Sequence, residues 1–280
     1  MSSPYPLRTP RLTVRLMGSA DRRAFTDYRN DPEVARHQLW DLPYSYEDSD
    51  YLADQDDTDD IGLGRWTTFA IEVAGTVVGD VCCQVDATGG VAEIGFTVAR
   101  AHQGKGYATE AALPVVTDLV ERIGVQRVYG ELDPPNVASQ RMLERLGLVF
   151  EAETRKSFRW RGEWCDNMSY AATSEEWRAW NARPTGPPAD VRLVALTADR
   201  VHTYGALRTH HSQERFVAPM AVSYADALAP GKAGGSPATP WLRGIEADDV
   251  PVGFVMVAVA GPDRREPMLW RLLDRRDRAR

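Results

Sequence analysis

A glycine-rich turn between a strand and a long helix constrains the fold of this chain more than any other feature. Ala92–Val98 has the character of a strand, and Tyr107–Ile123 has the apolar pattern of an amphipathic helix that ends at Gly124. The turn between them carries two glycines two residues apart, Gly104 and Gly106. A strand joined to a helix in this way is typical of a mixed α/β sheet.

The segments on either side of this unit extend the same pattern. The predicted strands and helices are, in chain order, strand Arg11–Leu16, helices Arg22–Asn30 and Asp31–Arg36, the hairpin Thr67–Val73 and Thr76–Cys83, strand Arg127–Leu132, helix Asn136–Leu146, and strands Leu148–Thr154 and Asn167–Ala172. Helices come first, an antiparallel meander follows, and strand–helix pairs close the series. We therefore predict an α/β (α+β) fold with one mixed sheet flanked by helices.

A linker divides the chain. Pro184–Asp190 is rich in Pro and Gly and follows a helical tail, which predicts a first domain over residues 1–183 and a second over 191–280. The segment 229–240 is also rich in Gly and Pro and predicts an irregular loop.

The second unit resembles the opening of the first. Val191–Arg200 is similar to Val14–Arg22, and Val250–Val255 is similar to Thr76–Val81. We predict a truncated half-copy without the glycine-rich loop, because Leu272–Arg280 contains no glycine. We expect it to pack on the first domain as half of an intramolecular pseudo-dimer in a monomer, with a homodimer as the alternative. Chance similarity, or a small independent domain with an unrelated role, is the competing interpretation.

Composition and charge exclude several classes of protein. The chain has 280 residues, 43% hydrophobic and 26% charged, which excludes a disordered or collagen-like chain. Its longest apolar run, 251–260, is about half of the ~20 residues that a membrane span needs. We also expect no signal peptide, no disulfide framework from three cysteines, no metal site, and therefore a cytoplasmic protein.

The acidic balance bears on binding partners. A net charge of -7 argues against a nucleic-acid binder. Much of the acid lies in the run Glu47–Asp60, which is either a solvated helix face or a negative wall that attracts a cationic substrate.

The glycine-rich turn itself is a candidate phosphate cradle. Glycines at this spacing let backbone N–H groups turn inward, and the N-terminus of the following helix adds partial positive charge, as a pyrophosphate requires. Lys105 is followed by Gly rather than Ser or Thr, so this is not a Walker loop, and the third glycine of a dinucleotide fingerprint is missing. Simple turn chemistry is the alternative.

Several spaced motifs together resemble the GNAT N-acetyltransferase superfamily, of the RimJ/RimL-like kind, over about residues 5–173. Gln103, Gly106 and Ala108 fit the family's phosphate loop in register. The other matching segments are Leu7–Val14, Arg29–Val34, Ala92–Val98, Asp133–Leu148 and Arg161–Tyr170. The resemblance implies a GNAT-type, mostly antiparallel central sheet, acetyl-CoA as the donor and a primary amine as the acceptor.

The resemblance also implies a set of cofactor contacts. The loop amides would bind the pyrophosphate, the strand that ends at Val98 would pair with the pantetheine arm, and the Val98 N–H would support the thioester oxygen. Lys105 and Arg100 would contribute positive charge. The full predicted set is Phe96, Val98, Arg100, Gln103, Gly104, Lys105, Gly106, Tyr107, Ala108, Asn136 and Ser139.

Acid–base chemistry requires a group that removes a proton from the amine. Glu93, on the strand that leads to the loop, is the candidate base, and a solvent-facing side chain is the alternative. Leu143 stands where many family members place a tyrosine that protonates the thiolate. Ser139 matches a serine of RimL-like members and is either the acid or only a cofactor contact, while Asn136 is either a pantetheine contact or a helix cap.

The acceptor pocket is expected between the first helices and the late hairpin. Trp40, Tyr44, Glu93 and Trp164 are its predicted residues, and Trp40 and Tyr44 flank the acidic run in a loop, where exposure is expected. The acceptor is either a protein N-terminus or a small cationic amine. A CoA-binding sensor or scaffold without catalysis is the alternative function.

Overall fold

The computed structural model describes residues 3–214, 216–229, 232–233, 236–237, 239–259 and 267–274. It divides into two compact units, Met1–Asn181 and Ala182–Arg280. Residues 230, 231, 234, 235 and 238 of the predicted loop over 229–240, and the charged end from 275 onward, lie outside the described residues. The described residues 232–233, 236–237 and 239–240 lie in strands, so the expectation of an irregular loop is wrong for them. Within the described part, no helix has the length and apolar character needed to cross a membrane.

The first unit is built on one eight-stranded sheet. Its strands are β1 (Leu7–Arg8), β2 (Thr13–Leu16), β3 (Trp66–Val73), β4 (Thr76–Val85), β5 (Val91–Val98), β6 (Arg127–Leu132), β7 (Val149–Trp160) and β8 (Glu163–Thr173). They lie in the order β1-β2-β3-β4-β5-β6-β8-β7, and every neighbouring pair is antiparallel except β5 and β6, which are parallel. The prediction of a mixed, mostly antiparallel sheet is confirmed.

Five α-helices flank this sheet. They are α1 (Arg22–Arg29), α2 (Pro32–Ala35), α3 (Tyr107–Asp118), α4 (Val137–Arg145) and α5 (Ser174–Asn181). Asp31 begins α2 by accepting a hydrogen bond from the Glu33 N–H, 2.9 Å away. The long predicted helix is divided: α3 continues into a single π-helical turn, Leu119–Ile123, and Gly124 ends it with a left-handed φ of 87°.

The two faces of the first sheet carry different cores, because successive side chains of a strand point to opposite faces. One face buries Phe69, Ile71 and Val81 with the apolar residues of α3 and α4. The other face buries Ala70 under α1 and a 3-10 helix over Glu47–Gln55. The candidate active site is formed mainly on this second face.

The second unit contains a smaller sheet of β9 (Val191–Ala195), β12 (Thr239–Ala247), β13 (Val250–Val259) and β14 (Met268–Asp274), in the order β14-β13-β12-β9 and antiparallel throughout. Two short strands, β10 (Lys232–Ala233) and β11 (Ser236–Pro237), pair within the predicted loop. Helices α6 (Val201–Gly205), α7 (His211–Glu214) and α8 (Met220–Leu228) complete the described elements.

The central strand pairs of the two units share one register. Ile71 pairs with Gly79 across β3 and β4, and Ile245 pairs with Gly253 across β12 and β13; in both cases a bulge follows the isoleucine. Each glycine also lies against a backbone carbonyl of the next strand. An added Cβ would be 2.3 Å from the Thr97 oxygen at Gly79 and 2.5 Å from the Leu273 oxygen at Gly253.

The strands on either side of these central pairs are also equivalent in the two units, but the matching residues differ by one or two positions from those that the sequence similarity suggests. Val14 pairs with Ile71 and Leu193 pairs with Ile245, so Leu193 rather than Val191 is the counterpart of Val14. Across the fourth strand, a bulge between Met256 and Val257 moves the counterparts by one residue. These registers support the prediction of a truncated half-copy, which stays a prediction.

Candidate active site

A gap between β5 and β6 forms the centre of the site. The two parallel strands pair only from Val91 to Glu93 and from Arg127 to Tyr129. Both strands then continue, to Val98 and Leu132, without pairing with each other, while β5 stays paired with β4 and β6 with β8. The sheet therefore opens immediately after Glu93, and the backbone groups of the second half of β5 that point away from β4 face the gap.

Val98 lies at the far end of this gap. The Ala99 N–H donates to the Val78 carbonyl on β4 at 2.9 Å, and because N–H groups alternate along a strand, the Val98 N–H points the other way. The Val98 carbonyl, on the same side, accepts from Gln103 Nε2 at 3.0 Å. This hydrogen bond joins the strand to the glycine-rich loop, and the Val98 N–H points away from β4, into the gap.

The loop has the backbone conformation of an anion cradle. Gly104 and Gly106 have left-handed φ values of 73° and 78°, and α3 begins at Tyr107 without a side-chain cap. A Cβ at Gly104 would meet nothing within 4 Å, so the space above the loop is open. Lys105 is exposed there, and its side-chain ammonium makes no hydrogen bond or ion pair with the described residues.

Arg11 and Glu110 hold this loop in place and were not predicted as site residues. Arg11 donates to the Lys105 carbonyl at 3.0 Å, and its guanidinium pairs with Glu110 at 2.6 Å and lies 4.8 Å from the Tyr107 ring centre. Thr9 donates to the same carboxylate at 2.6 Å. In the sequence, Arg11 is distinguished only by its place in Leu7–Val14, one of the segments that resemble the family.

Glu93 lies in a row across three strands, between Gln84 on β4 and Tyr129 on β6. It is half-buried, and the Tyr129 hydroxyl donates to its Oε2 at 2.9 Å. Burial raises the pKa of Glu93, and the hydrogen bond from Tyr129 opposes part of that rise. Burial, together with the Glu93 carboxylate, raises the pKa of Tyr129 to about 12, so its phenol stays protonated and keeps donating at neutral pH.

Helix α4 and its N-terminal cap carry three residues that the sequence analysis considered for the site: Asn136, Ser139 and Leu143. The Asn136 side chain accepts from the Ser139 N–H at 3.1 Å, so its Oδ1 serves as the cap that the sequence left as an alternative. The Ser139 hydroxyl is without a partner in the described ranges. Leu143 is buried, and its side chain would be 3.0 Å from a Cβ at Gly130. The same Cβ would be 3.2 Å from the Ile94 carbonyl, so β5 and β6 are still close at the start of the gap.

Comparison with known proteins assigns this arrangement to a family. The model of the acetyltransferase (GNAT) domain family matches residues 11–149. Residues 11–149 form a GNAT acetyltransferase domain. The uncharacterized N-acetyltransferase p20 of Bacillus licheniformis is 28% identical over 176 residues, which cover 61% of this chain and 97% of p20. The uncharacterized N-acetyltransferase YnaD of Bacillus subtilis (strain 168) is 32% identical over 85 residues, 30% of this chain and half (50%) of YnaD.

Solved structures share the fold of the acetyltransferase domain at low identity. A GNAT-family acetyltransferase from Bacillus anthracis has a TM-score of 0.53 at 23% identity, over 60% of this chain and 98% of that chain. A spermidine N-acetyltransferase from Vibrio cholerae, solved with CoA and spermine, has a TM-score of 0.52 at 20% identity over 61% and 99%. RimL, a ribosomal L7/L12 alpha-N-protein acetyltransferase solved with CoA, has a TM-score of 0.52 at 16% identity over 60% and 97%.

The predicted acceptor residues of the acetyltransferase domain have different environments. Tyr44 is only 8% exposed and its hydroxyl donates to the Asp48 carbonyl at 3.0 Å, so the expectation of an exposed loop residue is wrong. Trp40 is half-buried and donates through Nε1 to the Arg29 carbonyl at 3.2 Å. Trp164, on the β7–β8 hairpin, is 58% exposed. The loop is more tightly packed than its polar sequence indicated.

A buried polar cluster lies beneath this loop and was not predicted. The Asp80 carboxylate on β4 accepts from the Tyr28 hydroxyl at 2.6 Å and lies 3.5 Å from Arg29 Nη2. Burial raises the pKa of Asp80, and the Arg29 charge and the Tyr28 hydrogen bond oppose that rise. The three residues come from α1 and β4 and are all buried.

Several residues of the acidic run Glu47–Asp60 make hydrogen bonds or ion pairs within the first unit. The Glu47–Gln55 helix is pinned by the buried Gln55, whose side chain bonds to the backbone of Met17 and Thr68. The carboxylates of the run with partners in the first unit are Asp48, Asp50, Asp56 and Asp60. This arrangement favours the solvated helix face over a wall for substrate. In the described ranges, no group of three or more His, Cys, Asp and Glu side chains is placed to hold a metal ion.

Proposed function

We propose that the acetyltransferase domain moves an acetyl group from acetyl-CoA to a primary amine by direct attack in a ternary complex. The observation that carries this proposal is the gap after Glu93, because it places a half-buried carboxylate at one end and the Val98 N–H at the other, directly before the glycine loop. A thioester in such a gap would lie between a proton acceptor and an oxyanion donor.

The loop fits the phosphates of CoA. The amides of Gln103–Ala108, the left-handed glycines and the first turn of α3 together make an anion site, and the open space above Gly104 leaves room for a pyrophosphate. Lys105 supplies an unpaired cation there. Arg100 is less available, because it lies 3.9 Å from Asp31.

Glu93 is the proposed base, acting directly or through one water. The acceptor enters as an ammonium ion, Glu93 takes one proton from it, and the neutral nitrogen attacks the thioester carbonyl. The Val98 N–H stabilises the negative charge that develops on the carbonyl oxygen. As the C–S bond breaks, the nitrogen gives up its second proton, and that proton ends on the released thiolate, so that an amide and the free thiol are formed. Ser139 has a free hydroxyl on α4 that is suited to protonate the thiolate, in place of the tyrosine that Leu143 replaces.

The acceptor pocket is proposed between the first helices and the late hairpin, with Trp40 from the loop after α2 and Trp164 from the β7–β8 hairpin. A small cationic amine and a protein N-terminus are the two candidates, and the neighbours of similar fold include one enzyme named for each class. We further propose that residues 191–280 are a half-copy that lacks the loop, in a cytoplasmic protein. The buried Leu143 favours, as a second candidate, a CoA-binding module with weak catalysis.

The experiment is an acetylation assay that reads released thiol over panels of small amines and peptides with free N-termini. We expect thiol release that depends on one acceptor class, together with an equal amount of acetylated amine. Release of thiol without an acetylated product, or binding of acetyl-CoA without any turnover on either panel, would favour the CoA-binding module.

A further inference from the structure

The buried Asp80–Arg29 pair is unusual in its incomplete hydrogen bonding. The Asp80 side chain is fully buried, and Arg29 is only 9% exposed. Asp80 Oδ2 and Arg29 Nε each lack a hydrogen-bond partner of ordinary geometry among the described residues, and the Thr97 side chain gives the Asp80 carboxylate only a weaker polar contact that lowers its pKa. Burying two charges is expensive unless their bonding is satisfied, so this pair is a poor source of stability.

Aromatic rings surround the Arg29 guanidinium. Its central carbon lies 3.9 Å from the ring centre of Phe25, 4.1 Å from that of Trp40 and 5.4 Å from that of Tyr44. Cations bind to aromatic faces at these distances. The guanidinium therefore joins α1 to the loop that carries Trp40 and Tyr44.

The second unit has strands with an equivalent register but with other residues at the positions of this pair. By register, Asp80 corresponds to Phe254, since both follow the glycine that pairs with the isoleucine of the preceding strand. Thr97, opposite Asp80, corresponds to Leu273, opposite Phe254. Phe254 and Leu273 are buried. The strand arrangement thus forms with an apolar pair at the positions where the first unit has Asp80 and Thr97.

The cluster connects the two sides of the proposed reaction. On the donor side, Asp80 faces Thr97, the residue before Val98. On the acceptor side, Trp40 stacks on Arg29, and the Trp40 carbonyl accepts from Arg161 of the β7–β8 hairpin at 2.9 Å. A chain of direct contacts therefore runs from the end of β5 to the two segments of the proposed acceptor pocket.

We propose that Arg29 and Asp80 are a positioning pair that holds the loop over residues 36–46, which carries Trp40 and Tyr44, in place over the acceptor pocket. The pair then determines the affinity for the acceptor, and neither the stability of the fold nor the affinity for acetyl-CoA. This inference rests on the proposed function. It makes the pair responsible for acceptor affinity, because a loop that shifts relative to β5 misplaces the amine at the thioester.

The test is a double variant of the full chain, Arg29→Met with Asp80→Leu, which removes both charges at similar volume. We expect a cooperatively folded protein, an acetyl-CoA Kd within about twofold of wild type, and an acceptor KM raised about tenfold or more with a smaller change in kcat. The matched control, Arg178→Met with Glu121→Leu, removes an exposed ion pair between α5 and the π-helical turn, 2.9 Å long, and should leave all three quantities unchanged.

Each outcome decides the proposal. A folded double variant with wild-type KM would overturn it, and so would a double variant that no longer folds, since the pair would then serve the fold. Asp80→Asn adds a milder probe, for which we expect a smaller rise in acceptor KM at unchanged acetyl-CoA affinity. If the wild-type protein transfers no acetyl group to any amine, the proposed function fails, and that result is distinct from wild-type kinetics in the variant.

Discussion

Each unit of this chain contains a four-stranded antiparallel meander, and the two meanders differ on the face that the first helices of each unit cover. In the first unit this face carries Tyr28, Arg29 and Asp80, while in the second unit Tyr204, Phe254 and Met256 form an apolar core. The strand registers and the close approach of the glycine to the next strand are the same. The difference indicates which residues the strand arrangement needs and which residues serve something else.

The first unit contains further elements after the last strand of its meander. Beyond β5 it has the glycine loop, α3 and the parallel strand β6, and the gap between β5 and β6 needs all three. The comparison therefore separates a shared scaffold from two additions, the polar cluster and the loop with its gap. Four variants test these additions, from the largest expected effect to the smallest.

The loop should carry the largest effect. Gly106→Glu should abolish detectable acetyl-CoA binding by calorimetry, a loss of more than about 100-fold, because it places a negatively charged side chain at a left-handed φ of 78° within the proposed phosphate site. Gly75→Glu is the matched control: its φ is 81°, and it lies in the β3–β4 turn with nothing within 4 Å of an added Cβ. Equal acetyl-CoA affinity in both variants would remove the loop from binding.

The single variant Arg29→Met should be less stable than the double variant. It leaves the Asp80 carboxylate buried without its cation, which should lower the free energy of unfolding by about 3–5 kcal/mol in a denaturant titration. Adding Asp80→Leu should recover most of that loss, because the second unit has an apolar residue at the equivalent position. A single variant as stable as wild type would show that the two charges are not coupled.

The Glu93→Gln variant should lower kcat/KM by about 100-fold near neutral pH, the usual contribution of a general base. Part of the loss should return at higher pH, where more of the amine is neutral. Glu153→Gln, at an exposed carboxylate on β7, is the control and should change nothing. Rates near wild type at neutral pH would exclude Glu93 from the reaction.

The Tyr129→Phe variant should move the acid limb of the pH–rate profile. The Tyr129 hydroxyl stabilises the ionised form of Glu93, so its removal raises the pKa of Glu93 further. A base with a higher pKa is protonated at higher pH, and activity should therefore be lost at a higher pH than in wild type. An unchanged or lower acid limb would show that Glu93 is not the titrating group.

Much of the fold follows from local sequence patterns. The β3–β4 hairpin, β5, β6 and α4 lie where alternation, turn residues and caps predict them, because these signals are contained in neighbouring residues. β7 is longer than predicted, reaching Trp160, because bulges and the left-handed Lys156 break its alternation.

The contacts that shape the site were not predictable in the same way. Tyr28 and Asp80 are 52 residues apart in sequence, and Glu93 and Tyr129 are 36 apart. Each contact depends on which residues face one another across strands and helices. Local sequence patterns do not show which residue of one strand pairs with which residue of another. Tyr44 was misjudged for the same reason, since its burial depends on Phe25 and Trp40, which pack against it from α1 and the loop.

The number of acetyl-CoA molecules bound per chain tests the central comparison most directly. Titration calorimetry of the full chain should give one bound molecule, because the loop and the gap occur in the first unit, while the described residues of the second unit form a meander and short helices without such a loop. Two bound molecules would contradict this account by placing a second cradle in the second unit. No binding at all would contradict the assignment of the loop and of the gap after Glu93.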